Sequence, residues 1–270
     1  MLISLENISK KKQGKLILNQ LSWEINEGDK WVLYGLNGAG KTTLLNILNG
    51  YDSITDGAIN LFGMQPGRRG YSATKVREQI GYVSSSLLEK FQEGETVLDV
   101  VISGAFKSIG VYEEVNEALV KEAESLLQIV GMYDFQHQFL GYLSTGQKQK
   151  VMIARALMNH PKMLILDEPA SGLDFIARET LFATLERLNQ AYPTLSIIYV
   201  THFIEEVIPL FDKIFLLKEG KCFKQGDISD ILNSDIMSRM FKVNVEIVKY
   251  HQRWSLFLKN KNDKNYTEGT

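Results

Sequence analysis

The chain has 270 residues, of which 44% are hydrophobic and 23% are charged, so it can bury a full globular core in one large or two small domains. Its 30 basic and 32 acidic residues give a formal net charge of -2, which disfavours nucleic acid as a partner. No apolar run approaches the roughly 18 residues of a membrane span, and no secretory leader is visible, so export and membrane insertion are not expected.

The N-terminal part of the chain shows strand patterns. Residues 2–8 and 16–25 alternate apolar and polar side chains, which predicts short antiparallel strands. The basic run at 10–15 lies between them and is interpreted as a solvated turn rather than a phosphate-binding patch.

A phosphate-binding pattern follows an apolar strand predicted at residues 31–34. It matches G-x-x-x-x-G-K-[ST] and comprises Gly35, Leu36, Asn37, Gly38, Ala39, Gly40, Lys41 and Thr42. The glycines let backbone N–H groups surround a triphosphate, and the dipole of the following helix faces the same anion. Lys41 is therefore expected at the β- and γ-phosphates and Thr42 on a Mg²⁺ ion, with Thr43 completing the nucleotide-binding set.

The middle of the chain changes from strand to helix patterns. Turn and strand signals at 55–61 and 80–83 precede a helical stretch at 87–158, in which residues 96–103 and 115–130 show 3.6-residue spacing. This stretch predicts a helical insertion.

Strands and helices alternate again after the insertion. The predicted elements are strand 163–166, helix 176–190, strand 195–200, helix 203–210, strand 213–217, helix 227–243 and a strand pair within 246–258. Apolar strands separated by helices are typical of a buried parallel sheet. Residues 260–270 are polar and expected to fray. The single cysteine, Cys222, excludes an internal disulfide and is expected to serve packing in a reducing cytoplasm.

Two carboxylates follow the apolar strand at 163–166. Asp167 and Glu168 would lie at the carboxyl edge of a parallel sheet, where open α/β sheets bind ligands. Beside a phosphate-binding loop, Asp167 fits a Mg²⁺ ligand and Glu168 fits a general base for the attacking water.

A second helix start resembles an anion-binding site. Residues 143–147 read Leu-Ser-Thr-Gly-Gln, in which Ser144 can cap a helix and Gly146 permits close approach. The alternative reading is an ordinary helix cap.

Together these patterns resemble the nucleotide-binding domains of ATP-binding cassette (ABC) proteins, over about residues 2–245. The resemblance implies an α/β P-loop NTPase with a RecA-like parallel sheet core, an N-terminal antiparallel β subdomain and an inserted α-helical subdomain. The implied domain covers 1–245, with the catalytic core at 1–86 and 159–245, the helical subdomain at 87–158, and a short extension at 246–270.

The resemblance also implies roles for individual residues. Lys41, Glu168 and His202 would be catalytic, with His202 touching the γ-phosphate, and Thr42 and Asp167 would hold Mg²⁺. Residues 171–174 resemble the loop that links the two sites of a dimer. In such a homodimer the family signature contacts ATP bound to the partner, a role that falls here to Ser144, Thr145, Gly146 and Gln147, with Thr145 where glycine is usual.

Two positions depart from the family pattern. Gln13 stands where an aromatic ring usually stacks on adenine, and Ser85 stands where a glutamine usually contacts Mg²⁺ and begins the link to the membrane partner. Serine hydroxyls at 84–86 could order a metal-bound water, or Gln92 could reach the metal.

The resemblance leaves the cellular role open between two classes. The favoured one is the ATP-hydrolysing subunit of an ABC transporter, cytoplasmic and peripheral on the inner membrane face, which binds separate permease subunits and serves an importer for a metal chelate or an oxyanion. The alternative is a soluble regulatory ATPase on ribosomes or DNA, which Ser85 favours, although the chain has one cassette and no long coiled coil. A P-loop kinase is disfavoured by residues 143–147 together with His202.

Overall fold

Strands and helices alternate through the described residues, 1–111 and 114–259 of this computed structural model. The strands are β1 (Ile3–Lys12), β2 (Lys15–Ile25), β3 (Lys30–Tyr34), β4 (Asp56–Leu61), β5 (Ile80–Ser84), β6 (Met163–Asp167), β7 (Ser196–Thr201), β8 (Lys213–Lys218), β9 (Lys221–Asp227), β10 (Val245–Tyr250) and β11 (Arg253–Leu258). The α-helices are α1 (Lys41–Leu48), α2 (Ala73–Glu78), α3 (Ser85–Leu88), α4 (Val97–Phe106), α5 (Glu117–Ile129), α6 (Thr145–Leu157), α7 (Phe175–Ala191), α8 (Ile228–Ile231) and α9 (Ser234–Phe241).

A six-stranded sheet forms the centre of the fold. Its order is β5-β6-β7-β3-β8-β9, in which β9 pairs antiparallel with β8 and the other neighbours are parallel. Strands β3 and β7 are buried along their whole length, as expected for parallel strands covered on both faces. The carboxyl ends of β3, β6 and β7 therefore meet at one edge. This sheet confirms the predicted α/β P-loop class.

A three-stranded antiparallel sheet, in the order β2-β1-β4, packs on one face of the central sheet. Trp23 of β2 lies with its ring centroid 4.7 Å from that of Phe215 and 5.4 Å from that of Trp31. Both Trp23 and Tyr34 are buried. Both rings therefore belong to the core.

Helices α4, α5 and α6 pack together and bury the apolar faces that the sequence spacing predicted. Gly104 of α4 lies so close to α6 that a Cβ atom there would stand 2.1 Å from the Arg155 carbonyl oxygen. The Arg155 guanidinium donates from Nε to the Ser103 hydroxyl at 3.1 Å. Burial lowers the pKa of the Arg155 guanidinium to about 10.

Within the described ranges, no helix has the length and apolarity needed to cross a membrane.

Two local predictions are wrong, and one strand was not predicted. The helix expected at 203–210 is a single 3-10 turn, Ile204–Glu206, because the buried Glu206 side chain bonds back to β7 and Pro209 carries no N–H for a longer helix. The helix expected at 227–243 is interrupted, since Asn233 caps α9 by accepting from the Ile236 N–H at 2.9 Å. Strand β9 was missed because its residues are mostly half-buried or exposed and polar.

The basic run also differs from its interpretation. Lys10 is buried in β1 and its ammonium contacts the Asp52 carboxylate and the Ser53 carbonyl oxygen, so it is not a solvated turn residue. The turn itself is formed by Gln13 and Gly14, both with positive φ. At the other end, the predicted strand pair is confirmed as β10 and β11, while residues 260–270 lie outside the described part.

Cys222 lies in β9, half-buried against the core. Burial raises the pKa of its thiol to about 11. The predicted packing role fits this position.

Candidate nucleotide site

The phosphate-binding loop connects β3 to α1. Gly38 and Gly40 have φ of 77° and 109°, values that suit glycine, and Gly40 begins α1 without a side-chain cap, so the first-turn N–H groups face outward. Gly35 is required for a different reason, because a Cβ atom there would lie 2.7 Å from the Leu217 carbonyl oxygen.

The loop is held from behind by the turn between β8 and β9. The Gly220 N–H donates to the Ala39 carbonyl at 2.9 Å, and the Asn19 N–H donates to the Gly220 carbonyl at 2.8 Å. The loop is thus fixed to both sheets before any ligand binds.

A cleft of about 500 Å³ opens in front of the loop. Its lining residues come from four segments of the chain: Ile17, Leu36, Asn37, Gly38, Gly40, Lys41, Thr42, Thr43, Ser84, Ser85, Ser86, Asp167, Glu168 and Ser171. Of the predicted nucleotide-binding residues, Gly35 and Ala39 are buried within the loop and do not line the cleft. The cleft is the size of a small-molecule pocket and is rich in backbone and hydroxyl groups.

Lys41 and Glu168 meet inside this cleft. The Lys41 ammonium donates to the Gly35 carbonyl at 2.7 Å and lies 3.3 Å from Oε1 of Glu168. The backbone of Glu168 has φ of 49°, and its N–H donates to the Val200 carbonyl at 3.1 Å. A non-glycine residue with this φ is uncommon, and it directs the carboxylate of Glu168 toward the loop.

His202 approaches the same carboxylate from the end of β7. Its Nδ1 lies 3.1 Å from Oε1 of Glu168, and its ring is about one-quarter exposed. The structure therefore joins Lys41, Glu168 and His202, which are separated in sequence, around one oxygen atom.

Asp167 ends β6 and is fixed by a neighbour that the sequence analysis did not identify. The Tyr82 hydroxyl donates to Oδ2 of Asp167 at 2.7 Å. Burial raises the pKa of the Asp167 carboxyl, and the bond from Tyr82 opposes that rise. Asp167 and the exposed hydroxyl of Thr42 line one cleft, and such oxygen atoms are the ligands that Mg²⁺ prefers.

A buried carboxylate supports the loop that carries His202. Oε2 of Glu206 accepts from the Thr201 hydroxyl at 2.6 Å and the Tyr199 hydroxyl at 3.0 Å. Burial raises the pKa of the Glu206 carboxyl despite both bonds. Sequence reasoning missed Glu206 because it placed the residue in a helix, whereas Glu206 ends the 3-10 turn five residues beyond β7.

The serines at the end of β5 also lie in the cleft. The Ser84 hydroxyl accepts from the Leu87 N–H at 3.3 Å and lies 3.1 Å from the Ser86 hydroxyl, while Ser85 is exposed. Gln92 does not line the cleft. Of the two sequence-based alternatives for this position, the geometry favours the serines.

The signature residues lie outside the cleft of their own chain. Ser144 caps α6 in a reciprocal arrangement, in which its hydroxyl accepts from the Gln147 N–H at 3.3 Å and its N–H donates to Oε1 of Gln147 at 2.8 Å. Ser144 and Thr145 are exposed, and Gly146 packs on α7, where a Cβ atom would lie 3.1 Å from that of Ala177. Gln13, at the hairpin tip, is also outside the cleft.

The cleft and its loop define a P-loop nucleotide-binding protein, and comparisons with known proteins narrow that class. A family profile described as ABC transporter matches residues 18–171. The chain therefore belongs to the ABC transporter ATP-binding family, and its cassette binds and hydrolyses ATP.

Individual relatives agree over nearly the whole chain. The uncharacterised ABC transporter ATP-binding protein YlmA of Bacillus subtilis (strain 168) is 42% identical over 248 residues, which are 92% of this chain and 94% of the relative. The phosphonates import ATP-binding protein PhnC of Treponema denticola is 32% identical over 255 residues, covering 92% and 97%. A dimeric ATP-binding cassette in a post-hydrolysis state with ADP and Pi superposes with a TM-score of 0.68 at 28% identity, covering 84% and 98%.

Proposed function

We propose that two copies of this chain power an ABC transporter by closing around ATP and reopening after its hydrolysis. The copies would bind separate permease subunits and lie peripherally on the cytoplasmic face of the cell membrane. The observation that supports this proposal is that Lys41 and His202 both contact one carboxylate oxygen, Oε1 of Glu168, beside the phosphate-binding loop.

Each cleft residue has a proposed part in hydrolysis. The loop from Gly35 to Thr43 would hold the triphosphate, with Lys41 at the β- and γ-phosphates. Thr42 and Asp167 would hold Mg²⁺, which when bound neutralises charge on the phosphate oxygens. Glu168 would take a proton from the water that attacks the γ-phosphorus as the bond to ADP breaks, and His202 would contact the γ-phosphate.

The second half of each site would come from the partner copy. Ser144, Thr145, Gly146 and Gln147 lie at a helix start that faces outward, a geometry that suits an anion supplied by another chain. ATP, which touches both halves, would favour the closed dimer, and loss of the γ-phosphate would favour reopening.

A basic cleft beside the helical region is the proposed permease contact. It has a volume of about 360 Å³ and lies between α2, α3, α4 and α6. Among the described residues of its lining, the basic side chains are Arg77, Lys90, Lys107 and Arg155, and none is acidic. Beside the lining, Oε1 of Glu78 lies 4.0 Å from the Lys107 ammonium. Such a surface suits an acidic segment of a membrane partner.

The proposed cargo class is a metal chelate or an oxyanion. Support comes from a relative named for phosphonate import, which is 32% identical over 92% of this chain. Other relatives are named for spermidine/putrescine or methionine import, so cargo would be selected by the permease and not by this chain.

The decisive experiment is affinity capture with the Glu168→Gln variant. ATP-loaded protein is incubated with detergent-solubilised membranes of the source organism, and retained proteins are identified by mass spectrometry. Glu168→Gln without nucleotide and a Lys41→Ala variant with ATP are the matched controls. ATP-dependent recovery of a polytopic membrane protein supports the transporter, whereas recovery of ribosomal or DNA-bound proteins alone would support the regulatory ATPase.

A further inference from the structure

An aromatic ring projects from the loop that precedes the signature. Tyr142 is 82% exposed, the largest value among the exposed large hydrophobic side chains of the described residues. Its neighbours Leu140 and Leu143 are 3% and 5% exposed, so the chain on each side of the ring is anchored in the core. An exposed ring on an anchored loop is a feature of binding surfaces.

The loop that carries Tyr142 is rigidly held. The Leu140 N–H donates to the Glu95 carbonyl at 2.8 Å, and the Gly141 N–H donates to the Glu93 carbonyl at 2.9 Å. A Cβ atom on Gly141 would lie 2.9 Å from that of Glu93, so the close approach needs glycine. The Tyr142 N–H donates to the Phe139 carbonyl at 3.1 Å. The backbone that carries the ring is thus positioned before any partner arrives, which lowers the entropic cost of a contact.

The nucleotide cleft of the same chain offers no comparable ring. Among the described residues that line it, the apolar side chains are Ile17 and Leu36, and none is aromatic. Gln13 is exposed at the hairpin tip, outside the cleft. A purine bound in this cleft would therefore meet no aromatic side chain among the described lining residues of its own chain.

We propose that Tyr142 supplies this ring in trans, stacking on the purine of the nucleotide held in the partner's cleft. The inference rests on the proposed dimer, in which Ser144 faces the partner's phosphates. Tyr142 lies two residues before Ser144, a backbone span of at most about 7 Å, and its side chain extends that reach along the bound nucleotide. Gly146 packs on α7, where a Cβ atom would lie 3.1 Å from that of Ala177, so the start of α6 is held against α7.

This arrangement links base recognition to closure. A single copy binds ATP through the phosphate loop without Tyr142, and the stacking contact forms only when the dimer closes. The ring therefore stabilises the closed state selectively and shifts the population toward it. Because every base has a π-face, the contact does not distinguish ATP from GTP.

The experiment measures ATP-driven dimer formation by analytical ultracentrifugation in the Glu168→Gln background. Tyr142→Ala is expected to raise the ATP concentration for half-maximal dimer about tenfold, and Tyr142→Phe less than about twofold, because the aromatic face is kept. Tyr250→Ala, which removes a ring 72% exposed on the C-terminal hairpin, is the matched control and is expected to change nothing. ATP affinity of the dilute single copy is measured in parallel and is expected to be equal in all variants.

Each other outcome has a definite meaning. If the parent dimerises with ATP and Tyr142→Ala dimerises at the same concentration, the stacking inference is overturned and the shared-site dimer stands. If Tyr142→Phe loses as much as Tyr142→Ala, the hydroxyl and not the ring face is responsible, and stacking is again overturned. If the parent binds ATP but stays monomeric, the proposed dimer itself fails, and the inference fails with it. Thermal melts identify any variant that is misfolded.

Discussion

The proposed catalytic edge, which comprises Lys41, Asp167 and Glu168, and the signature loop, residues 139–147, differ in how far their side chains are exposed. At the catalytic edge, Lys41, Asp167 and Glu168 all have partners within their own chain. In the signature loop, Ser144 and Tyr142 are exposed, and the loop is ordered by backbone bonds and a capping box. The first region keeps its charged groups paired within the chain, and the second exposes side chains on a backbone that is held in place.

The largest expected effect tests whether the catalytic edge performs the chemistry. Glu168→Gln removes the proton acceptor but keeps the side-chain shape, so the rate of ATP hydrolysis should fall by about 10²–10⁴ while ATP affinity is retained. Phosphate release and isothermal titration measure the two quantities. Glu219→Gln, at a fully exposed site, is the control. A hydrolysis rate within a factor of three of the parent would contradict the assigned role.

The second prediction separates the signature from an ordinary helix cap. Ser144 caps α6 and Asn116 caps α5, so alanine at either position should cost about 1 kcal/mol of stability. Only Ser144→Ala should also slow hydrolysis, by about 10- to 100-fold, because it removes a hydrogen bond to a charged phosphate. Thermal melts and steady-state rates measure both effects. Equal hydrolysis in the two variants would make the signature purely structural.

The third prediction concerns metal binding at the catalytic edge. Tyr82→Phe removes the hydroxyl that orients Asp167, so Mg²⁺ affinity in the ATP-bound protein should weaken about tenfold, as for other groups that orient metal ligands. Titration with Mn²⁺, followed by electron paramagnetic resonance, gives the affinity without relying on turnover. Tyr51→Phe, at an exposed ring, is the control. Unchanged Mn²⁺ affinity would show that Asp167 needs no such support.

The smallest expected effect is a pH dependence from Glu206. Its folded pKa is raised above the ordinary 4.5, so the folded state binds the proton more tightly than the unfolded state. The free energy of unfolding therefore falls as pH rises from about 4.5 through the folded pKa. Glu206→Gln removes this pH dependence. The melting temperature of the variant minus that of the parent should therefore be a few degrees larger at pH 7 than at pH 5, since 1 kcal/mol corresponds to about 2–4 °C. The exposed Glu186→Gln should show the parent's dependence; the same profile in Glu206→Gln would contradict the assignment.

The sequence predicted the parts of the site that depend on local pattern. The phosphate loop follows from its glycine spacing, and the positions of Asp167 and His202 follow from apolar strands that end just before them. These signals are contained within short stretches, so they need no knowledge of the three-dimensional arrangement.

The contacts of Tyr82 and Lys10 could not be predicted in the same way. Tyr82 meets Asp167 because β5 and β6 are neighbours in parallel register, with Ser84 opposite Asp167, although 85 residues separate Tyr82 from Asp167. Lys10 is buried because Asp52 lies across from it, 42 residues later in the chain. Strand order and long-range pairing decide both environments, and a local charge pattern contains neither.

The half-buried position of Cys222 makes its thiol poorly reactive toward labelling reagents. Since the thiolate is the reactive form and its pKa is about 11, alkylating reagents at neutral pH should modify Cys222 slowly. No other cysteine occurs in the sequence. A Tyr142→Cys replacement would therefore react selectively with a fluorophore or a spin label, so the approach of two copies could be followed by spectroscopy without first removing native cysteines.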